Sequence, residues 1–290
     1  MLVCTVWGLN FVVAKVGMHQ FPPLLFTGLR FLILTLALMP FLAVAKGRMR
    51  QVIAITLFNG AFHFGLISIA IALSAASVVA IVSQLNVPFA TVMSIMFLGE
   101  RVSLRRWSGI AMTVLGVTCV SFDPHVFDTR FGLLCAAAAS LSGAIASVLM
   151  RRLAGVGVLQ LQSWTALVSA PLLLGASFIW ENGQLLALDQ AHWQNWSALL
   201  FTTIGASLIG HNGYFYLLQR YEVSLIAPIS LLSPILGVVF GIGLLHETLT
   251  PRILFGAVSV FLGIGILVTS GGRVAKPLQR RPEQDTRSPD

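Results

Sequence analysis

A repeat inside the chain constrains its fold more than any other feature. The stretch from Tyr221 to Thr269 reads YEVSLIAPISLLSPILGVVFGIGLLHETLTPRILFGAVSVFLGIGILVT, and a shift of 147 residues (247 − 100) lays it on an earlier stretch. Glu247 then falls on Glu100, Gly256 on Gly109, Gly263 on Gly116 and Ser224 on Ser77. Each copy is a long apolar segment ending in Glu, a short polar turn, and a second apolar segment with Gly nine and sixteen residues after the Glu. Gly237 and Gly241 fall on Ala90 and Ser94, small residues four apart that let helix backbones approach closely in lipid. Such a duplication divides the chain into two related halves.

The solvent these halves are built for follows from composition. Hydrophobic residues make up 57% of the 290 and charged residues 10%, against roughly 25% charged in a soluble domain. The chain reads as an integral membrane protein. Apolar segments long enough to cross the hydrocarbon, about 20 residues each, fall near 1–18, 24–44, 52–73, 78–98, 104–122, 131–150, 158–180, 196–218, 223–245 and 252–270. The first begins at Met1 without a charged flank, which leaves an upstream start open; a cleaved signal peptide is disfavoured, with no basic n-region and no A-x-A site.

Orientation follows from the basic residues. With ten crossings and a cytoplasmic N-terminus, inner loops and tail hold fourteen of the eighteen Lys and Arg, among them Lys46, Arg48, Arg105, Arg106, Arg151 and Arg152. The outer side holds only Arg130 and Arg252, and Lys15 and Arg30 fall within segments. This bias predicts both termini in the cytoplasm. Five crossings per half is an odd number, so the second half enters upside down. The expected fold is therefore an all-α integral membrane protein of ten transmembrane helices in two inverted five-helix repeats, 1–122 and 131–270. A cytoplasmic tail, 271–290, follows and reads as disordered. The segment from Glu181 to Asn195, flanked by Trp180, Trp193 and Trp196, reads as an outer interfacial stretch with an aromatic belt.

The net charge of +8 is accounted for by this loop bias, and no nucleic-acid partner is expected, since basic faces interleaved with aromatics are missing. Cys4, Cys119 and Cys135 sit in apolar segments without metal-ligand spacing. His246 and Glu247 begin an H-E pair, but no second His follows at the zinc-hydrolase spacing, and no G-x-x-x-x-G-K is present. An enzyme, a metal and a cofactor are not expected; the partners expected are a small-molecule substrate and the lipid bilayer, with a homodimer left open.

Several motifs carry a likeness to a known family. WGLNFVVAKVG at Trp7–Gly17, the prolines Pro22 and Pro23, GLRF at Gly28–Phe31, GER at Gly99–Arg101, RYE at Arg220–Glu222, AP at Ala227–Pro228 and LLSP at Leu231–Pro234 resemble the EamA family of the drug/metabolite transporter superfamily. The likeness covers nearly all of residues 1–270. It implies ten helices in two five-helix repeats in a bacterial inner membrane, exporting small metabolites, often amino acids or derivatives such as O-acetylserine and cysteine.

Polar residues deep in the segments are the candidates for the transport path, because burying them in lipid is unfavourable and they usually face a bundle interior or a wet cavity. Trp7 and Asn10 share a helix face, as do Asn59 with His63 and His211 with Tyr214. Gln84 and Asn86, with Ser83, come from the fourth segment. Each has an alternative role as a hydrogen bond between helices. Pro88 and Pro234, one residue off the repeat offset, and Pro228 are candidate kinks. Glu100 and Glu247 read mainly as helix ends bonding neighbouring turns, with gating or proton handling as the alternative. Lys15 and Arg30 are expected to snorkel toward an interface, an anion-attracting Arg30 being the lesser reading.

Overall fold

The computed structural model describes residues 1–99, 102–124, 129–153, 155–220, 229 and 231–270. Glu100, Pro228, Ser224 and the tail 271–290 lie outside the described residues. The described chain is helical throughout, without a strand. In chain order the helices are α1 (Leu2–Gly17), α2 (Pro23–Leu38), α3 (Met49–Leu73), α4 (Ala76–Val82 and Asn86–Leu98), α5 (Leu104–Ser121), α6 (Arg130–Arg151), α7 (Val158–Trp180), a short α8 (Gln184–Asp189), α9 (Trp193–Arg220), α10 (Leu232–Leu245) and α11 (Pro251–Thr269). Six of them, α2, α3, α4, α6, α7 and α11, are long and apolar enough to cross a membrane, and α1 and α10 are shorter apolar helices. Large apolar side chains such as Leu36, Leu115, Phe178 and Phe255 are exposed on the outside of the bundle, where lipid tails would cover them.

The repeat reappears in local structure. Ser103 and Thr250, 147 residues apart, are both N-caps: Ser103 Oγ accepts from the Arg106 N–H at 3.4 Å, and Thr250 Oγ1 from that of Ile253 at 3.1 Å. Four residues before each cap, Gly99 (φ 66°) and His246 (φ 54°) close the preceding helix in the left-handed conformation. A π-helical stretch interrupts α3 at Leu57–Phe62, and another interrupts α9 at Phe201–Gly210. Shifting 57–62 by 147 gives 204–209, inside the second stretch. Each ends immediately before a histidine, His63 or His211. A 3-10 turn at Ser83–Leu85 breaks α4 just before Pro88, whose missing N–H would have bonded the Gln84 carbonyl. Pro234 lies in the first turn of α10, where no intrahelical N–H bond is lost.

Packing pairs the helices symmetrically. With α1 matched to α6, α2 to α7, α3 to α9, α4 to α10 and α5 to α11, the contacts of α1 with α10 and α9 are mirrored by those of α6 with α4 and α3, while α2–α7 and α5–α11 pair with themselves. The closest approaches are reciprocal as well. A Cβ on Gly109 would meet the Gly263 carbonyl at 2.8 Å, and one on Gly116 would meet that of Gly256 at 2.7 Å. Gly109 is the repeat mate of Gly256 and Gly116 that of Gly263, so each contact is the counterpart of the other. Because the earlier glycine of α5 faces the later one of α11, the two helices run antiparallel. Gly8 packs against the backbone of Ser233 and Gly143 against the Asn86 side chain, Ser233 being the repeat mate of Asn86 (233 − 86 = 147).

Candidate functional site

The side chains flanking the π stretches and the α4 break converge between the two halves. A cavity of about 590 Å³ is lined by all eight polar and aromatic candidates: Trp7, Asn10, Asn59, His63, Gln84, Asn86, His211 and Tyr214. Pro234 and Ser83 also line it, together with Arg30 and Phe64. Pro88 and Glu247 are not in its wall. No carboxylate is among the described residues lining it.

Several of these residues are tied to neighbouring helices. His63 Nδ1 lies 2.8 Å from the Ala139 carbonyl of α6, and His211 Nδ1 lies 2.9 Å from the Ala206 carbonyl within its own π stretch. A carbonyl only accepts, so each Nδ1 donates, and in the neutral ring Nε2 is left as the acceptor. Trp7 Nε1 donates to the same Ala206 carbonyl at 3.2 Å, and its ring packs 5.2 Å from that of His211 and 5.3 Å from that of Tyr214. Asn86 Nδ2 donates to the Ser140 carbonyl at 3.1 Å. These bonds join α1 to α9, α3 to α6 and α4 to α6 around the cavity.

Arg30 corrects the snorkelling expectation. It is 6% exposed and faces the bundle interior, where Nε and Nη2 donate to Ser207 Oγ at 3.1 and 2.8 Å and the guanidinium lies 4.9 Å over the Phe64 ring. Its position in α2 resembles that of a chain able to reach an interface; only α3 and α9, packed beside it, reveal where it points. Sequence reasoning had no signal for Ser207 or Phe64, since both belong to ordinary apolar runs.

Two smaller chambers adjoin the central one. One of about 290 Å³ shares Asn59, Phe64 and His211 with it and extends to Met150, Leu153 and Val158, at the end of α6 and the start of α7. The other, about 110 Å³, shares Asn10, Arg30 and His63 and extends to Met18 and Ile71, at the ends of α1 and α3. Beyond the smaller chamber the helix ends are tied together. Lys15 Nζ donates to the carbonyls of Ile71, at 3.1 Å, and Ser74. Glu247 accepts from the N–H groups of Ala76 and Ser77 at 2.6 and 2.9 Å, capping α4 from the end of α10. Glu181 does the same for α2, accepting from Leu24 and Leu25 at 2.8 and 3.1 Å.

Known proteins resemble this chain in sequence and in fold. A protein of Salmonella typhimurium named probable amino-acid metabolite efflux pump is 33% identical over 283 residues, covering 92% of this chain and 93% of the relative. A protein of Escherichia coli K12 with the same name is 30% identical over 282 residues, covering 92% and 93%. A solved structure titled "Crystal structure of protein" superposes with a TM-score of 0.62 at 19% identity, covering 91% of this chain and 94% of the other, and so shares the fold. The model of the EamA-like transporter family matches residues 1–122 and again 130–269. With both halves matched, the chain belongs to the EamA-like transporter family and is a membrane transporter.

Proposed function

We propose that the chain is a secondary exporter of small metabolites, with amino acids or derivatives such as O-acetylserine and cysteine as its substrates, working by alternating access. The observation that carries this reading is the convergence of the candidate polar residues on one cavity between the halves. Its volume, about 590 Å³, falls in the usual range for small-molecule sites. In this reading ten helices cross a bacterial inner membrane as two inverted five-helix halves, with both termini in the cytoplasm. The antiparallel, reciprocal glycine contacts of α5 and α11 support the inversion, and the inner-loop Lys and Arg support the orientation. The chamber beside Met150 and Leu153 then leads to the cytoplasm, and the Lys15 and Glu247 contacts close the outer end.

Alternating access needs helices that bend at the site. The break at Ser83–Leu85 in α4 provides such a bend, and α10 begins beside Pro234 on the other side of the cavity, so the two segments can rock while their far ends stay packed. The reading is tested by expressing the chain in a bacterial strain lacking related exporters and measuring amino acids and their precursors in the medium against an empty vector. Raised extracellular cysteine, O-acetylserine or another amino acid is expected. No change across the panel, with the protein demonstrated in the membrane, would move the substrate to drugs or nucleobases.

A further inference from the structure

The central cavity holds one positive charge, that of Arg30, and no negative charge among the described residues lining it. Arg30 is buried with a serine hydroxyl and an aromatic face as its partners, and neither neutralises it. A guanidinium in such a place gains most from a planar anion that can accept in its fork. The histidines do not compete for that anion, because each neutral ring spends its N–H on a backbone carbonyl and presents an acceptor.

An unmet acceptor lies in the same wall. Asn10 Oδ1 is enclosed and without a hydrogen-bond donor, and a turn of the amide toward the cavity would let a ligand N–H supply one. Asn10 and Arg30 line the central cavity together, and both also line the chamber of about 110 Å³, so the two face a common small volume. His63 lines both spaces too and adds a second acceptor.

We propose that Arg30 and Asn10 form a two-point seat for a zwitterion, the guanidinium taking a carboxylate and the Asn10 amide oxygen an ammonium group. Ser207 is the positioning residue that fixes the guanidinium from α9. The proposal rests on the reading of the cavity as the transport site, and it narrows that reading to ligands bearing a carboxylate. A simple amine meets an uncompensated positive charge, and a simple acid leaves Asn10 without its donor.

The test uses a matched set: L-cysteine, cysteamine, which lacks the carboxylate, and 3-mercaptopropionate, which lacks the ammonium. Each is used under reducing conditions to compete with labelled L-cysteine counterflow into proteoliposomes of the full chain. In the wild type, cysteamine is expected to compete at least about tenfold more weakly than L-cysteine, the scale of one charge-assisted contact. Arg30→Gln should abolish that preference and Arg30→Lys restore part of it, while Asn10→Leu should erase the preference over 3-mercaptopropionate alone. Size-exclusion profiles establish that each variant is folded. If cysteamine competes as well as L-cysteine in the wild type, or Arg30→Gln keeps the preference, the seat is wrong while the transporter reading stands. If labelled L-cysteine itself is not exchanged, the seat is also wrong, and the whole-cell export assay alone then decides the broader reading.

Discussion

His246 holds a backbone conformation, φ 54°, that its repeat mate Gly99 adopts without a side chain. A left-handed residue with a Cβ is disfavoured by about 1–2 kcal/mol, and the His246 side chain is exposed, so no packing offsets that strain. His246→Gly is expected to stabilise the protein by about 1 kcal/mol, read as a higher melting temperature in detergent with transport retained. At the cavity, replacing His63 and His211 together with Ala removes both ring acceptors and two bonds to backbone carbonyls. Export should fall at least about tenfold, as expected for loss of one or two such contacts, while membrane insertion persists; unchanged export would remove both from the transport path. The histidines were legible because an imidazole inside an apolar run stands out. Arg30 was misread because position along a helix does not tell which way a long side chain turns; Ser207, 177 residues away, settles it.

Among the elements, α5 and α11 approach so closely that a methyl group has no room. Gly116→Ala would drive a Cβ against the Gly256 carbonyl, and overpacking of this kind is destabilising by about 1–3 kcal/mol. Gly265→Ala in α11 is the matched control, since nothing lies within 4 Å of its added Cβ, and it should be neutral or mildly stabilising through helix propensity. Equal melting temperatures for the two variants would contradict the contact. Glu247→Ala strips the cap from the first turn of α4, removing two charge-assisted bonds worth about 1.5–3 kcal/mol each at most, and Glu247→Gln should keep part of that stability. The apolar runs of the helices and the repeat register of α5 and α11 could be read from the sequence, whereas the caps Ser103 and Thr250 and the left-handed Gly99 and His246 are seen only in the structure. The π stretches and the 3-10 turn could not: FNGAFH and FTTIGASLIGH carry the same apolar pattern as an ordinary helix, with nothing in either run to mark the wider turn.

For the whole molecule, orientation can be checked independently of transport. Fluorescent-protein and alkaline-phosphatase fusions after Thr269 are expected to be bright and inactive respectively, as a cytoplasmic C-terminus requires, and the reverse pattern would overturn the loop-charge argument. The pairing of helices across the halves has a further consequence. If each half adopts the pose now held by the other, α1 trades its contacts with those of α6, and α4 trades with α10, so the cavity mouth moves to the opposite face of the bundle. The α5–α11 and α2–α7 pairs map onto themselves under that exchange and have nothing to trade. Under the proposed alternating access these pairs would serve as a fixed axle: a covalent bridge across Gly109 and Gly263 is expected to go unnoticed through a full turnover, whereas one across Gly8 and Ser233 is expected to stall it.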